Sequence, residues 1–371
     1  MDPSIYRLRD EDEIISPALI YYKDLLLENV DRTIALAGDT ERLWPHLKSH
    51  KSADFLKVLM EKGIRKFKCA TIAEAEMAAD VGAEKLILAY PLIGPNIRRF
   101  GELVLRFPGT EFFAIADDAG QMQLLHEEAV AKGILVNLLI DINTGLDRTG
   151  IRPEKAMELF HLSDSLSGIR ICGMHVYDGH RHESAPEDRN ARTREDMKEV
   201  LKLKTEAEAA GYDCSLMVMG GTPSFPCHQP EEGAFLSPGT CLIQDYGYAS
   251  GFEDLEFPIA AMLLTRVVSH PAPGVFTLDL GCKAVATDPP IPRAVVAGYE
   301  DCETLMQNEE HLVLRMPKGR EEERPAIGTC LYAAPWHICP TTALYPEILV
   351  AQKGVITDIW NVTARNRKIT I

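Results

Sequence analysis

Glu111-Phe112-Phe113-Ala114-Ile115-Ala116, a helical pattern over residues 118–132, and then Leu135-Val136-Asn137-Leu138-Leu139-Ile140-Asp141 form the stretch that decides the fold. Each apolar run is short, continuous and free of the polar alternation of a half-solvated strand. Such runs belong to strands buried on both faces, which is how parallel sheets are built, with the intervening helix as the crossover. The same unit recurs on either side. Apolar runs begin at Phe67, Lys85, Ile171 and Ser215, and helical patterns cover residues 72–81, 95–107, 153–165 and 190–210. With Leu43–Lys48 as a first strand and a last strand within Phe235–Ile243, about eight βα units result. That number favours a closed (β/α)8 TIM-type barrel over an open doubly wound sheet, the alternative.

Beyond residue 255 the texture changes to short β-rich runs at Ala261–Ser269, Val275–Leu280, His311–Met316, Ala326–Tyr332, Glu347–Lys353 and Val355–Asn361. Pro271-Ala272-Pro273-Gly274 and Pro317-Lys318-Gly319 are the turns between them. The expected organisation is an N-terminal segment 1–25, a barrel over 26–250 and an antiparallel β domain over 251–371. Residues 18–22 form a strand that either pairs with the β domain or leads into the barrel.

A net charge of -16 over 371 residues and a pI near 5.2 argue against nucleic acid and anionic membranes as partners. No apolar run approaches a membrane span, and the polar start Met1-Asp2-Pro3-Ser4 does not resemble a signal peptide. Nine cysteines without a C-x-x-C pair fit a reducing compartment, so a cytoplasmic location is expected.

In a parallel barrel the reactive groups stand at the C-terminal ends of the strands. Trp44-Pro45-His46-Leu47-Lys48, continuing into Ser49-His50-Lys51, puts a lysine at the first of these ends. An amine that attacks a carbonyl must be neutral, and burial and nearby cations favour that form. Lys48 is therefore a candidate Schiff-base lysine, against the plainer reading of a strand end leading into a solvated basic turn. Gly220-Gly221-Thr222 follows a later strand, and Gly239-Thr240 the last. Flexible backbone N–H groups with a hydroxyl suit a phosphate, although most such triplets are only turns. Neither the dinucleotide G-x-G-x-x-G nor the P-loop ending is present, which points to a cofactor with one phosphate. On a strand, His337 and Cys339 of Trp336-His337-Ile338-Cys339-Pro340 would face one side. Imidazole plus thiolate suits a divalent ion, with water or substrate completing the shell. A buried cysteine beside a hydrogen-bonded histidine is the plainer alternative.

Together these segments resemble the D-threonine aldolase and D-serine dehydratase family, fold-type III pyridoxal-phosphate enzymes with an alanine-racemase-like fold. The matching runs are Pro45-His46-Leu47-Lys48-Ser49-His50-Lys51, Gly145-Leu146-Asp147-Arg148-Thr149-Gly150, Tyr177-Asp178-Gly179-His180, Gly220-Gly221-Thr222-Pro223, Pro238-Gly239-Thr240 and His337-Ile338-Cys339-Pro340-Thr341. The resemblance implies that Lys48, and not Lys51, binds pyridoxal phosphate as a Schiff base. It implies that Arg148 contacts the cofactor's phenolic oxygen and that Gly221, Thr222, Gly239 and Thr240 hold its phosphate. Tyr177 would lie beside the ring, and His337 and Cys339 would ligate a divalent metal (Mn, Zn, Mg or Co) that binds the substrate's β-hydroxyl. His180 and His182 are the candidate bases. The implied activity is a homodimeric lyase cleaving small D-3-hydroxy amino acids to glycine and an aldehyde. Dehydration of D-serine or D-3-hydroxyaspartate on the same scaffold is the alternative. A racemase would need a second acid/base opposite the lysine and no metal. A non-enzymatic pyridoxal-phosphate carrier would lack the β domain. Trp44 stands where many relatives have arginine, and Ser237 where a charged residue is common.

Overall fold

The computed structural model describes residues 1–228, 230 and 233–371. The first strand is β1 (Ala18–Tyr22), and a parallel sheet then forms from β2 (Lys66–Cys69), β3 (Lys85–Leu88), β4 (Glu111–Ala116), β5 (Val136–Asp141), β6 (Ile169–Val176), β7 (Leu216–Met219) and β8 (Ala234–Leu236). Its seven strands lie in chain order from β2 to β8. Residues 43–46 bridge both edges, Leu43 to Leu236 on β8 and His46 to Lys68 on β2. Trp44 N–H donates to the Leu236 carbonyl at 2.7 Å, and Lys68 N–H to that of Pro45 at 3.0 Å. This irregular eighth segment closes the ring, so the open sheet is excluded, and Lys48 follows it on a short 3-10 turn (Leu47–Ser49).

Local chemistry explains why helices alternate with these strands. Thr71 caps the helix Ile72–Val81 by accepting from Glu74 N–H, and Gly82 ends it at φ 96°. Asp118 caps Ala119–Lys132 the same way, and Gly133 ends it at φ 64°. Every residue of β5 is buried, as a strand covered on both faces must be. Trp44 packs edge-on against Phe113 and Phe235, with ring centroids 5.8 and 6.5 Å away, so its side chain fills the barrel interior.

Gly173 has φ 142° at an irregularity in the β5–β6 register, and a Cβ there would lie 2.0 Å from the Leu216 carbonyl oxygen on β7. Backbone cannot yield as a flexible side chain can. Gly173→Ala is therefore expected to cost about 3 kcal/mol or more. The check is the melting temperature, which should drop by many degrees.

Two compact units divide the chain. One comprises residues 34–48, 55–239 and 366–371, and the other 1–33, 49–54 and 240–365. The second unit holds β1 with β9 (Ala261–Ala272), β10 (Val275–Leu278), β11 (Ala294–Val296), β12 (Glu303–Gln307), β13 (Leu312–Arg315), β14 (Cys330–Pro335), β15 (Glu347–Gln352) and β16 (Val355–Asn361). All pairings are antiparallel except that of β1 with β15, which makes the sheet mixed. Ile20, Tyr22, Met262, Leu264 and Tyr332 lie in its core.

Candidate active site

In the barrel unit the strand ends gather one cluster. The β5–β6 register pairs Asp141 with His175, and their side chains meet at 2.7 Å between His175 Nδ1 and Asp141 Oδ1. Burial lowers the His175 pKa against the opposing pull of Asp141. The imidazole is thus neutral, its Nδ1–H donating to Asp141. Its Nε2 is buried and without a hydrogen-bond partner.

Just past β6, Tyr177 presents its ring to three cations. Arg148 lies 4.9 Å from the ring centroid, Lys68 Nζ 5.1 Å and Lys48 Nζ 5.8 Å. Among the described residues none of the three forms an ion pair with a carboxylate. Lys48 is half-buried, Arg148 is exposed, and Lys68 is 2 % exposed.

The glycine loop stands against the same ring. A Cβ on Gly221 would meet Tyr177 Cε2 at 3.3 Å, and Gly220 has φ 76°, a conformation that favours glycine. Gly221 N–H donates to Ser224 Oγ at 3.0 Å, and that hydroxyl donates to Asp178 at 2.6 Å. His228 Nε2 lies 2.8 Å from the other Asp178 oxygen. Burial opposes the Asp178 charge, but His228 and Ser224 outweigh it and hold the carboxyl below its ordinary range. This network ties the loop to the end of β6. Thr222 and Gly239 are buried.

His180 is half-buried with Nε2 3.3 Å from an Asp196 oxygen, while His182 is exposed. His46 Nδ1 accepts from Lys48 N–H at 3.3 Å, a local turn contact.

The other unit holds the second cluster. β14 stops at Pro335, and His337 is the N-cap of a short helix, Ile338–Thr342. The strand geometry expected for His337 and Cys339 is therefore wrong. A proline cannot donate to a sheet ladder but is accepted in a helical first turn, and Pro340 occupies such a place. Even so the two side chains meet. Burial disfavours the imidazolium, but a hydrogen bond and the charge of Cys339, followed by Asp288, raise the His337 pKa to about 9. His337 Nδ1 lies 2.5 Å from Asp288 Oδ2, and Thr240 Oγ1 lies 3.3 Å from Cys339 Sγ. Among the described residues no group of three or more His, Cys, Asp or Glu side chains is arranged to hold a metal. The donor pair fits an open site finished by water and substrate, not a closed structural one. In the same unit His50 is buried, its Nδ1 accepting from Ser52 N–H at 3.1 Å. Burial drives its pKa down to about 3.

Sequence comparison fits this geometry. The model described as alanine racemase, N-terminal domain, matches residues 23–247, more than half of the chain. The chain belongs to the alanine racemase N-terminal domain family. A putative serine dehydratase domain matches residues 260–351 of this alanine-racemase-like protein. It is 25% identical to a D-threonine aldolase from Arthrobacter sp, over 87% of this chain and 85% of that one. It is 24% identical to a D-threo-3-hydroxyaspartate dehydratase from Delftia sp. (strain HT23), over 92% and 96%. The crystal structure of D-threonine aldolase from Filomicrobium marinum superposes with a TM-score of 0.89, at 25% identity and covering 96% of this chain and 98% of that one.

Sequence reasoning overlooked Lys68, the Asp141–His175 pair and the Asp178–Ser224–His228 network. One signal was available for the first: a lysine inside the apolar run Phe67-Lys68-Cys69-Ala70, where a buried strand rarely places a charge.

Proposed function

We propose that the chain is a pyridoxal-phosphate- and divalent-metal-dependent lyase that cleaves D-3-hydroxy amino acids to glycine and an aldehyde, as a D-threonine aldolase does. The observation that carries this reading is the trio Lys48, Lys68 and Arg148 around Tyr177, none paired with a carboxylate. Positive charge so placed is matched by an anionic cofactor and an amino-acid carboxylate. The glycine loop and the bare His175 Nε2 fit the same occupant.

Pyridoxal phosphate, when bound, supplies an electron sink for bond breaking at Cα. Lys48 would hold it covalently and Arg148 would contact its phenolic oxygen. Gly221 and Thr222 would hold its phosphate, and the resemblance alone gives Gly239 and Thr240 the same work. Tyr177 would flank the ring. The neutral His175, oriented by Asp141, offers a lone pair on Nε2 and no charge. His180 is the better candidate for taking the β-hydroxyl proton, because Asp196 lies beside it whereas His182 faces solvent. His337 and Cys339 would hold the divalent ion (Mn, Zn, Mg or Co), whose chemistry is Lewis-acid polarisation of that hydroxyl.

The imidazole–thiol donor pair favours a second reading, dehydration of D-serine or D-3-hydroxyaspartate. Incubation with D-threonine and with D-serine, with and without added divalent metal, separates the two. Metal-stimulated acetaldehyde with glycine supports the aldolase, while ammonia with a 2-oxo acid moves the assignment to the dehydratase.

No helix of the described residues is long and apolar enough to cross a membrane, and all nine cysteines are free. The free cysteines are in keeping with the cytoplasmic, reducing compartment expected from the sequence. A homodimer, which light scattering checks, follows from the resemblance.

A further inference from the structure

In the reading above Lys68 is one of three basic groups around Tyr177, with no part of the cofactor assigned to it. Its side chain is 2 % exposed at the end of β2, and Nζ donates to Ser237 Oγ at 2.5 Å. That hydroxyl donates onward to the Gly220 carbonyl at 2.9 Å, so the amine is tied to the first residue of the glycine loop. A lysine buried this deeply ordinarily faces a carboxylate. Among the described residues Lys68 pairs with none, since Asp141 is engaged by His175 and Asp178 by Ser224 and His228.

The charged and titratable groups around Lys68 come from every neighbouring strand end. Lys48 follows the closing segment, Asp141 ends β5, and Arg148 lies in the loop after it. His175 ends β6, and Tyr177 and Asp178 follow it. Burial above all, then the charge of Lys48, brings the Lys68 pKa down to about 7; Asp178 and Asp141 resist this and Arg148 reinforces it.

We propose that Lys68 is a positioning residue for the cofactor, a buried amine that takes up a proton as anionic pyridoxal phosphate enters and then balances its charge. The inference rests on the reading of the site as a pyridoxal-phosphate site. An anion beside an amine stabilises the ammonium. With its pKa near 7, the amine is mostly neutral at about pH 8 and mostly charged at about pH 6. Cofactor entry therefore draws close to one proton per site at about pH 8, and much less at about pH 6. The Ser237 hydroxyl accepts the same N–H in both states, keeping the amine beside the loop.

The test is calorimetric titration of the cofactor-free full-length protein with deoxypyridoxine phosphate, which lacks the aldehyde and cannot react with Lys48. Buffers of different ionisation enthalpy count the protons. The wild type should show uptake at about pH 8 that exceeds that at about pH 6 by most of one proton. Lys68→Met and Lys68→Arg should both lose that excess, with the arginine variant retaining affinity and the methionine variant binding roughly tenfold more weakly. A folded variant that keeps the wild-type excess overturns the inference, as does a wild type whose uptake is the same at both pH values. A wild type that does not bind the analogue at all overturns the cofactor reading, and this inference with it. Binding with a proton count indifferent to Lys68 overturns this inference alone.

Discussion

Lys48→Ala protein should stay folded, lack the visible absorption band of lysine-bound pyridoxal phosphate, and turn over D-3-hydroxy amino acids at least about a thousandfold more slowly, a loss of about 4 kcal/mol of transition-state stabilisation. The fold should survive because Lys48 is half-buried on a turn, and its Nζ makes no ion pair or hydrogen bond among the described residues. Truncation leaves no buried partner unsatisfied and removes only a cation–π contact of about 1 kcal/mol. On the proposed reading the chemistry should not survive, because covalent attachment of the cofactor would need this amine. Lys68 is held away from that task by burial and by Ser237. Absorbance read beside near-ultraviolet circular dichroism checks the prediction. A retained band on a folded Lys48→Ala protein would move the attachment to another amine.

Replacing either His337 or Cys339 with alanine is expected to strip the divalent metal and reduce turnover at least about a hundredfold, while cofactor absorbance persists. Two protein donors form a sparse set, so losing one halves it. Asp288→Asn should have a milder effect. With Asp288 Oδ2 2.5 Å from Nδ1, the carboxylate would fix the imidazole so that Nε2 is the nitrogen offered to an ion. Loss of such an outer partner weakens metal affinity by about 10–100-fold. Elemental analysis after dialysis, followed by turnover during metal titration, gives the ranking. Unchanged metal content in the His337 and Cys339 variants would end the metal assignment.

Much of the barrel was legible because its determinants are local. Apolar runs such as 111–116 and 136–141 cannot be solvated on either face. Thr71, Asp118, Gly82 and Gly133 mark helix ends by the conformations they accept. The other unit was less legible. β11 has only three residues, and β12 is half-exposed with polar neighbours, so neither leaves a periodic trace. The parallel pairing of β1 with β15 joins segments more than three hundred residues apart, and no local pattern encodes it. His337 and Cys339 were singled out by their chemistry but assigned the wrong backbone. Pro340 was the visible warning, since a proline next to the pair argues against a continuing strand. Lys68 was hidden in plain sight among apolar neighbours. Its significance comes from Ser237, 169 positions away, which the linear sequence does not place beside it.

The most direct test of the central claim is to load the full-length protein with pyridoxal phosphate, reduce it with borohydride, digest it and map the modified lysine by mass spectrometry. The phosphopyridoxyl group should be found on Lys48, in the peptide containing Trp44-Pro45-His46-Leu47-Lys48. Modification at Lys68 or Lys51 instead, or none at all, would contradict the account.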